Sequence, residues 1–412
     1  MQAVFENNKA ILSAVLKLAL MSLLLANLLA VFLVLLKIPG FTPSYAQQIF
    51  KPFLVYHVNL AMLFWVPIIS CWFAGYLFSL NQSRIKLSIG LSLLSFLLLF
   101  ISLFDLNNQV NLNNYFPTIS SPWFLGALVV QLVAISVFYS AIHWQCKQNQ
   151  SAKYLFRWAV WAWWLFVASL LVNLIQLDIT TASAVYFEQL IWGPGHVQQV
   201  MNALLIAACW SCYLKDSRCT QALKATAILA IFTTVLTLGI AQITDDLYLK
   251  RQVFTWQMSY FSWLPMLVVA YLLIKQRVKN LYLHCSLVLA GCGVIVGALI
   301  TPGMLTVPGH YHGMTGAFNV AFFALILLAY QFNPKGKAVW LTTIYSLALL
   351  ILVFGLSLAG MLGIGRKLVA QQQGVLEPMQ MVAIAFVVIG AFIAIIASLL
   401  LTQRLLRNKA LD

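Results

Sequence analysis

Acidic residues are scarce in this sequence, which has nine Asp and Glu against 24 Lys and Arg among its 412 residues. All nine acids lie in loops, in tails or at the ends of apolar segments. Ion- and proton-coupled transporters usually need a carboxylate within the membrane. The sequence therefore argues against a coupled transporter and against a proton pump that works through carboxylates.

Charged residues of both signs make up only 8% of the chain, whereas hydrophobic residues make up 62%. A water-soluble domain of this length cannot bury so much apolar surface, so we predict an integral membrane protein. The net charge of +15 would suit a nucleic-acid partner, but the basic residues lie in short loops between apolar segments. That distribution is typical of cytoplasmic membrane loops, so we expect a lipid bilayer and no nucleic acid as partner.

Cysteine is also uncommon, with seven residues scattered along the chain. An odd, scattered set argues against a disulfide scaffold. No Cys-x-x-Cys-His segment occurs, so the chain has no site for a covalent c-type heme.

Apolar segments of about 20 residues, the length that crosses a bilayer, recur along the whole chain. The twelve predicted spans are residues 11–36, 53–79, 86–104, 120–142, 154–176, 187–213, 220–243, 253–274, 281–302, 310–332, 339–363 and 377–402. The first segment lacks a small-residue cleavage site and is interpreted as a retained helix rather than a secretory signal. The expected fold is an all-α membrane protein of about twelve transmembrane helices, a single polytopic domain over residues 1–412.

The basic residues predict the orientation. With both termini on one side, that side holds 17 of the 24 Lys and Arg and the other side holds 6, with Lys17 inside the first span. Because such an excess marks the cytoplasmic side, we expect both termini in the cytoplasm. The expected location is a bacterial inner membrane.

Four of the six histidines fall in the outer third of three predicted spans. They are His57 in the second span, His196 in the sixth, and His310 and His312 at the start of the tenth. A neutral imidazole in lipid is unfavourable unless it is hydrogen-bonded or ligating. For one histidine a bond to a neighbouring helix is the simpler interpretation, but four at one depth favour metal or heme ligation. Cysteine and carboxylate are missing at that depth, which disfavours zinc and calcium.

The spacing His310-Tyr-His312 is informative by itself. At about 100° per residue, positions i and i+2 point in roughly opposite directions around a helix. The two imidazoles cannot easily share one metal ion, but each can serve a different heme on either side of the helix. His143 and His284, at the cytoplasmic ends of the fourth and ninth spans, are interpreted as interfacial residues.

Twelve spans with a histidine near the outer end of the second, Gly-His in the sixth and His-Tyr-His opening the tenth resemble subunit I of heme-copper oxidases. That superfamily includes cytochrome c oxidases and nitric oxide reductases, and the resemblance covers nearly the whole chain. It implies that His57 and His312 are the axial pair of a low-spin heme. It implies that His310 is the proximal ligand of a high-spin heme. It also implies that His196 stands where the family places its first copper ligand, facing the distal side of that heme.

Two further segments are similar to the same family. Phe254-Thr255, near the start of the eighth span, matches a Phe-Thr pair in oxidases. Arg366-Lys367, between the last two spans, stands where the family has a basic pair that contacts heme propionates. A cation beside a carboxylate near an interface is favourable, although a solvated pair of loop residues is an equal alternative.

The sequence also departs from the family. Residues 237–246, where the paired copper histidines belong, contain no histidine, so a three-imidazole copper site cannot form. Val200 stands where oxidases carry a tyrosine, and the glutamate of nitric oxide reductases has no equivalent. We therefore expect that the second-metal site is degenerate and does not hold copper as in the family. His196 is the one remaining candidate ligand of that site.

The resemblance implies a respiratory-type electron-transfer protein with two hemes of b or a type toward the outer side of the membrane. Electrons would enter at the low-spin heme, and the high-spin heme would bind O2 or NO between His310 and His196, the candidate catalytic residues. The donor would be a second oxidase-type subunit or cytochrome c. If active, the protein would be a terminal oxidase or a nitric oxide reductase. The alternatives are a non-catalytic assembly or gas-sensing paralogue of the same fold and, third, a transporter.

Overall fold

The computed structural model describes residues 2–41, 43–105, 109–144, 150–178, 180–216, 218–244, 246–332 and 336–407. Lys147, Lys335 and Lys409, which the orientation prediction includes, lie outside these residues, as do the acids Asp245 and Asp412. The α-helices of the described residues are α1 Gln2–Leu35, α2 Ala46–Asn59, α3 Val66–Leu77, α4 Gln82–Ile101, α5 Pro122–Ser140, α6 Gln150–Gln176, α7 Ser183–Ser211, α8 Gln221–Ile243, α9 Leu247–Tyr260, α10 Leu264–Lys275, α11 Leu281–Ala298, α12 Thr306–Ala329, α13 Lys337–Met361 and α14 Pro378–Leu406. The strands are β1 Ser79–Leu80, β2 Val110–Asn111, β3 Thr118–Ile119 and β4 Ile142–His143.

Within the described residues, eleven helical segments are long and apolar enough to cross a membrane. They account for eleven of the predicted spans, and the all-α membrane fold is confirmed. The remaining predicted span, 187–213, is the helix α7, which is not among the eleven. Its Gly-Pro-Gly-His-Val-Gln-Gln segment lowers the hydropathy, yet nearly all of its second half is buried.

The second predicted span is not a regular α-helix. Helix α2 continues through a π-helical stretch, Leu60–Trp65, into α3, and Pro67 stands in the first turn of α3. The Gln198 side-chain amide donates to the carbonyl of Met62 at 2.9 Å and so satisfies one backbone group of the π-helical stretch. Stretches of this kind are frequent at functional sites.

The eighth predicted span consists of two helices, α9 and α10, interrupted at residues 261–263. Pro265 lies at the start of α10, where its missing N–H removes no helical hydrogen bond. Both helices together still form one segment, Leu247–Lys275, that is long enough to cross a membrane.

The chain divides into two compact units. Unit 1 comprises Met1–Ala19 and Met62–Val278, and unit 2 comprises Leu20–Ala61 and Lys279–Asp412. Unit 1 contains α3 to α10 together with the two short antiparallel pairs, β1 with β4 and β2 with β3. Unit 2 contains α2 and α11 to α14, and its α1 residue Asn27 donates to Ser398 of α14 at 2.9 Å.

Glycines bring the helices of unit 2 into close contact. A Cβ on Gly313 of α12 would lie 2.6 Å from the Cα of Gly293 on α11, so the two backbones touch where neither residue has a side chain. Without water between helices, such small-residue contacts are a main source of packing in membrane bundles. The contact aligns α11 with the histidine-bearing turn of α12.

Candidate functional site

Helix α12 begins at Thr306, so His310 and His312 lie within its first two turns. Pro308 is the third helical residue, where its missing N–H has no intrahelical partner to lose. The Thr306 hydroxyl accepts from the Thr301 N–H at 3.0 Å and ties the helix start to the preceding loop. These local features fix the direction in which the two histidines leave the backbone.

His310 is held against α11. Its Nδ1 lies 2.7 Å from the carbonyl oxygen of Gly293. Because a carbonyl only accepts, the ring proton must sit on Nδ1, and Nε2 therefore presents its lone pair. A Cβ on Gly297 would lie 2.8 Å from the same Nδ1, so the ring occupies space that only glycine leaves open.

His57 and His312 share this arrangement. Nδ1 of His57 lies 2.9 Å from the Ala26 carbonyl oxygen, and Nδ1 of His312 lies 2.8 Å from that of Pro308. Both rings must again carry the proton on Nδ1 and the lone pair on Nε2.

The three imidazoles fit the chemistry of heme ligation. A ligating histidine usually donates its second ring N–H to a carbonyl or carboxylate, which fixes its tautomer and orientation. His57, His310 and His312 all do so, and all three belong to unit 2. In the part of the chain that the structure describes, no three His, Cys, Asp or Glu side chains cluster as a chelating metal site would require. Each of the three imidazoles offers one nitrogen donor, which is what a heme iron takes from a protein side chain.

Arg366 and Lys367 lie in the loop between α13 and α14. The Arg366 N–H donates to the carbonyl of Gly303 at 2.9 Å, which joins this loop to the one preceding α12. Lys367 adopts a left-handed backbone with φ of 63°. The loop is thus held near the start of the histidine-bearing helix of unit 2.

Besides Arg366 and Lys367, the cation Lys37 of unit 2 also contacts this loop. In the sequence, Lys37 contributed only to the prediction of membrane orientation. Its ammonium group donates to the Leu368 carbonyl and lies 5.5 Å from the centre of the Phe50 ring. Burial lowers the pKa of Lys37 to about 8. No local pattern marks the residue, because its partner lies 331 positions away.

His196, in unit 1, is in a different state. It is 2% exposed, its Nδ1 donates to the Trp192 carbonyl at 2.7 Å, and its Nε2 lies 2.8 Å from the Tyr115 hydroxyl. Because Nδ1 holds the ring proton, the hydroxyl must donate to Nε2. Phe254 stacks on the ring at 5.1 Å. Both ring nitrogens are thus hydrogen-bonded inside an aromatic enclosure.

The sequence of α7 explains how this enclosure forms. A Cβ on Gly195 would lie 2.4 Å from the Tyr115 ring, and a Cβ on Gly193 would lie 2.9 Å from Phe254. Pro194 lacks the N–H that would bond the Leu190 carbonyl. The Asn173 side chain donates to that carbonyl at 3.0 Å instead.

Tyr115 is the site residue that sequence reasoning missed. It lies in the loop between β2 and β3, which the Glu188 carboxylate fastens to α7 by accepting from the Asn114 N–H at 3.1 Å and from its side-chain amide at 2.6 Å. In the Phe254-Thr255 pair, which is similar to a Phe-Thr pair in oxidases, only Phe254 contacts His196. The Thr255 hydroxyl donates to the Arg251 carbonyl at 3.0 Å. His143 is exposed in β4.

Comparison with known proteins supports the fold. A heme-copper terminal oxidase superposes on the chain with a TM-score of 0.70 at 14% identity, covering 95% of this chain and 83% of the oxidase. The protein is thus a multi-pass integral membrane protein with an oxidase-like helical fold.

Relatives by sequence bear no function in their names. An uncharacterized protein of Aquifex aeolicus (strain VF5) is 24% identical over 76% of this chain and 82% of its own length. An uncharacterized protein of Rickettsia prowazekii (strain Madrid E) is 22% identical over 96% and 95%. No protein-family model matches the sequence.

Proposed function

We propose that this chain is a heme-binding electron-transfer protein of the membrane, with a low-spin heme between His57 and His312 and a second heme on His310. The observation that supports this most is the common state of the three imidazoles. Each donates its Nδ1 proton to a backbone carbonyl and keeps the Nε2 lone pair. Three such histidines within one unit suit two adjacent hemes better than three separate structural contacts.

Bound at these imidazoles, heme of b or a type would supply one-electron redox chemistry and, at an open coordination position, binding of O2 or NO. The chain itself supplies the orientation. The Ala26, Gly293 and Pro308 carbonyls fix the three rings, and Gly297 leaves room for the ring of His310. The cations of the loop at Arg366 and Lys367 would pair with the carboxylates of a heme. A second oxidase-type subunit or cytochrome c is the proposed donor.

The second-metal site has weaker support. The Nε2 lone pair of His196, the remaining candidate ligand, accepts a hydrogen bond from Tyr115. A metal at this nitrogen would require the hydroxyl to leave. This favours a second function within the same class, in which the protein binds a gas or transfers single electrons without four-electron reduction of O2.

The test is an absorption spectrum of the purified full chain produced with sufficient heme, together with pyridine hemochrome quantification. We expect two hemes per chain, one of them low-spin with two histidine ligands. His57→Ala and His312→Ala should each abolish the low-spin signal and leave the other heme. His310→Ala should abolish CO binding by the reduced protein and leave the low-spin signal.

His143→Ala is the matched control, because this histidine is exposed in β4 and should leave both signals unchanged. A colourless wild-type protein, or low-spin absorption that survives both His57→Ala and His312→Ala, would refute the proposal. Stoichiometric copper in the purified protein would show that a second metal is bound after all. His196 would then be its first candidate ligand.

A further inference from the structure

Unit 1 contains a cavity of about 310 Å³ that the heme proposal does not use. It lies between the ends of α6 and α8 and the beginnings of α7 and α9. Three of these helices, α6 ending at Gln176, α8 ending at Ile243 and α9 beginning at Leu247, belong to segments that can cross a membrane. The cavity therefore opens where such segments meet the headgroup region of a bilayer.

Two cations, Lys250 and Arg251, line this cavity on consecutive residues of α9. The Arg251 guanidinium lies 5.2 Å from the centre of the Trp192 ring, which holds it over the cavity wall. Among the described residues, no carboxylate lies within ion-pair distance of either cation.

The described acids in or next to the lining already have other partners. Asp178, which follows Leu177, accepts from the Thr180 N–H at 2.9 Å. Glu188 lines the cavity but accepts two hydrogen bonds from Asn114. Asp246, four residues before Lys250, caps α9 by accepting from the Tyr248 and Leu249 N–H groups at 2.8 and 3.3 Å. The lining of the cavity carries two cations against one carboxylate, and this net positive charge favours an anionic ligand.

The rest of the wall is apolar on one side and polar on the other. Leu238, Ala241 and Pro194 provide aliphatic surface, and the uncharged amides of Gln176 and Gln242 provide donors. A ligand that satisfies both sides has an anionic head and an apolar tail. The volume, at the lower end of the range for ligand sites, suits a head rather than a whole amphiphile.

We propose that this cavity binds the phosphate of an acidic phospholipid, with Lys250 and Arg251 as the groups that contact the phosphate oxygens. Arginine and lysine are the side chains that recognise phosphate most effectively, the first through two parallel hydrogen bonds and the second as a point charge. Inorganic phosphate shares this chemistry but lacks the tail that the aliphatic wall would contact. The site does not depend on heme.

The experiment is native mass spectrometry of the detergent-solubilised full chain, titrated with phosphatidylglycerol, with phosphatidylcholine of the same acyl chains, or with inorganic phosphate. Wild-type protein should retain phosphatidylglycerol in preference to phosphatidylcholine. Lys250→Gln with Arg251→Gln should weaken phosphatidylglycerol retention about tenfold or more, since each surface cation contributes about 1 kcal/mol toward acidic lipid.

The matched control is Lys275→Gln with Arg277→Gln, a lysine and an arginine exposed at the end of α10, which should leave retention unchanged. Gln242→Glu keeps both cations and adds a negative charge on an exposed wall residue, so it should also weaken retention without a risk to folding. If both cavity variants retain phosphatidylglycerol like wild type, or if wild type does not distinguish the two lipids, the proposal is wrong. Competition by millimolar inorganic phosphate would assign the site to free phosphate instead of lipid.

Discussion

Replacing Gly297 by alanine tests the packing that holds His310. A Cβ at this position would lie 2.8 Å from Nδ1 and 3.1 Å from Cε1 of the His310 ring. Ordinary contact begins at 3.4 Å, so the ring would have to move by about 0.6 Å or more. A shift of that size directly away from α11 would lengthen the 2.7 Å distance from Nδ1 to the Gly293 carbonyl oxygen to about 3.3 Å, beyond the usual hydrogen-bond range.

The expected magnitude follows from two opposing effects. Overpacking of a well-packed site costs about 1–3 kcal/mol. Alanine in place of glycine within a helix returns about 0.5–1 kcal/mol through propensity. Gly291, on the same helix, has open space where a Cβ would stand, with no atom within 4 Å, and so receives only the second effect. We expect Gly297→Ala to be about 1–3 kcal/mol less stable than Gly291→Ala.

The assay is thermal unfolding of the two variants in the same detergent, followed by near-ultraviolet circular dichroism. If heme is bound, CO recombination to the reduced protein provides a second measurement, because a displaced His310 alters the iron to which CO binds. Equal melting temperatures for Gly297→Ala and Gly291→Ala would refute the close contact between Gly297 and the His310 ring. Unequal melting temperatures with unchanged CO recombination would support the packing but remove His310 from the heme.

Two further predictions concern residues that the tertiary structure added. Tyr115→Phe removes the donor to Nε2 of the buried His196 and should destabilise the protein by about 1–3 kcal/mol, whereas Tyr248→Phe, at an exposed tyrosine, should change little; equal melting temperatures would contradict the bond. Burial lowers the folded-state pKa of Lys37 from its ordinary 10.5 to about 8, so between these values the unfolded chain holds more protons and stability should rise with pH. The rise is measured as the increase in melting temperature between pH 8 and pH 10.5, which Lys37→Met should reduce. Lys51→Met, at an exposed lysine, is the control and should keep the wild-type increase. An identical increase in all three proteins would show that Lys37 does not contribute.

Much of the fold could be predicted from local patterns. Twenty apolar residues in a row must cross a bilayer as a helix, because only a helix satisfies every backbone group within one segment. That argument located the helices correctly, but it missed the π-helical stretch Leu60–Trp65 and the interruption between α9 and α10. Both depend on individual hydrogen bonds and prolines, which average hydropathy does not register.

Part of the candidate site could also be predicted from local sequence patterns. His310 and His312 point to opposite sides of their helix because they are two residues apart, and this holds for any helix. The hydrogen-bond partners of these histidines could not be predicted from the sequence. The Gly293 carbonyl reaches His310 only because α11 and α12 touch at Gly293 and Gly313.

The sequence by itself therefore determined that this is a membrane bundle with histidines on three of its helices, since hydropathy and helical periodicity are local properties. Only the tertiary structure decided what each imidazole bonds to. The hydroxyl that engages His196 comes from a loop 81 residues away, and the loop of Arg366 is joined to Lys37 across 331 residues. Contacts over such separations depend on which helices pair, and side-chain hydrogen bonding then distinguishes His196, with both nitrogens engaged, from the three histidines that keep a lone pair.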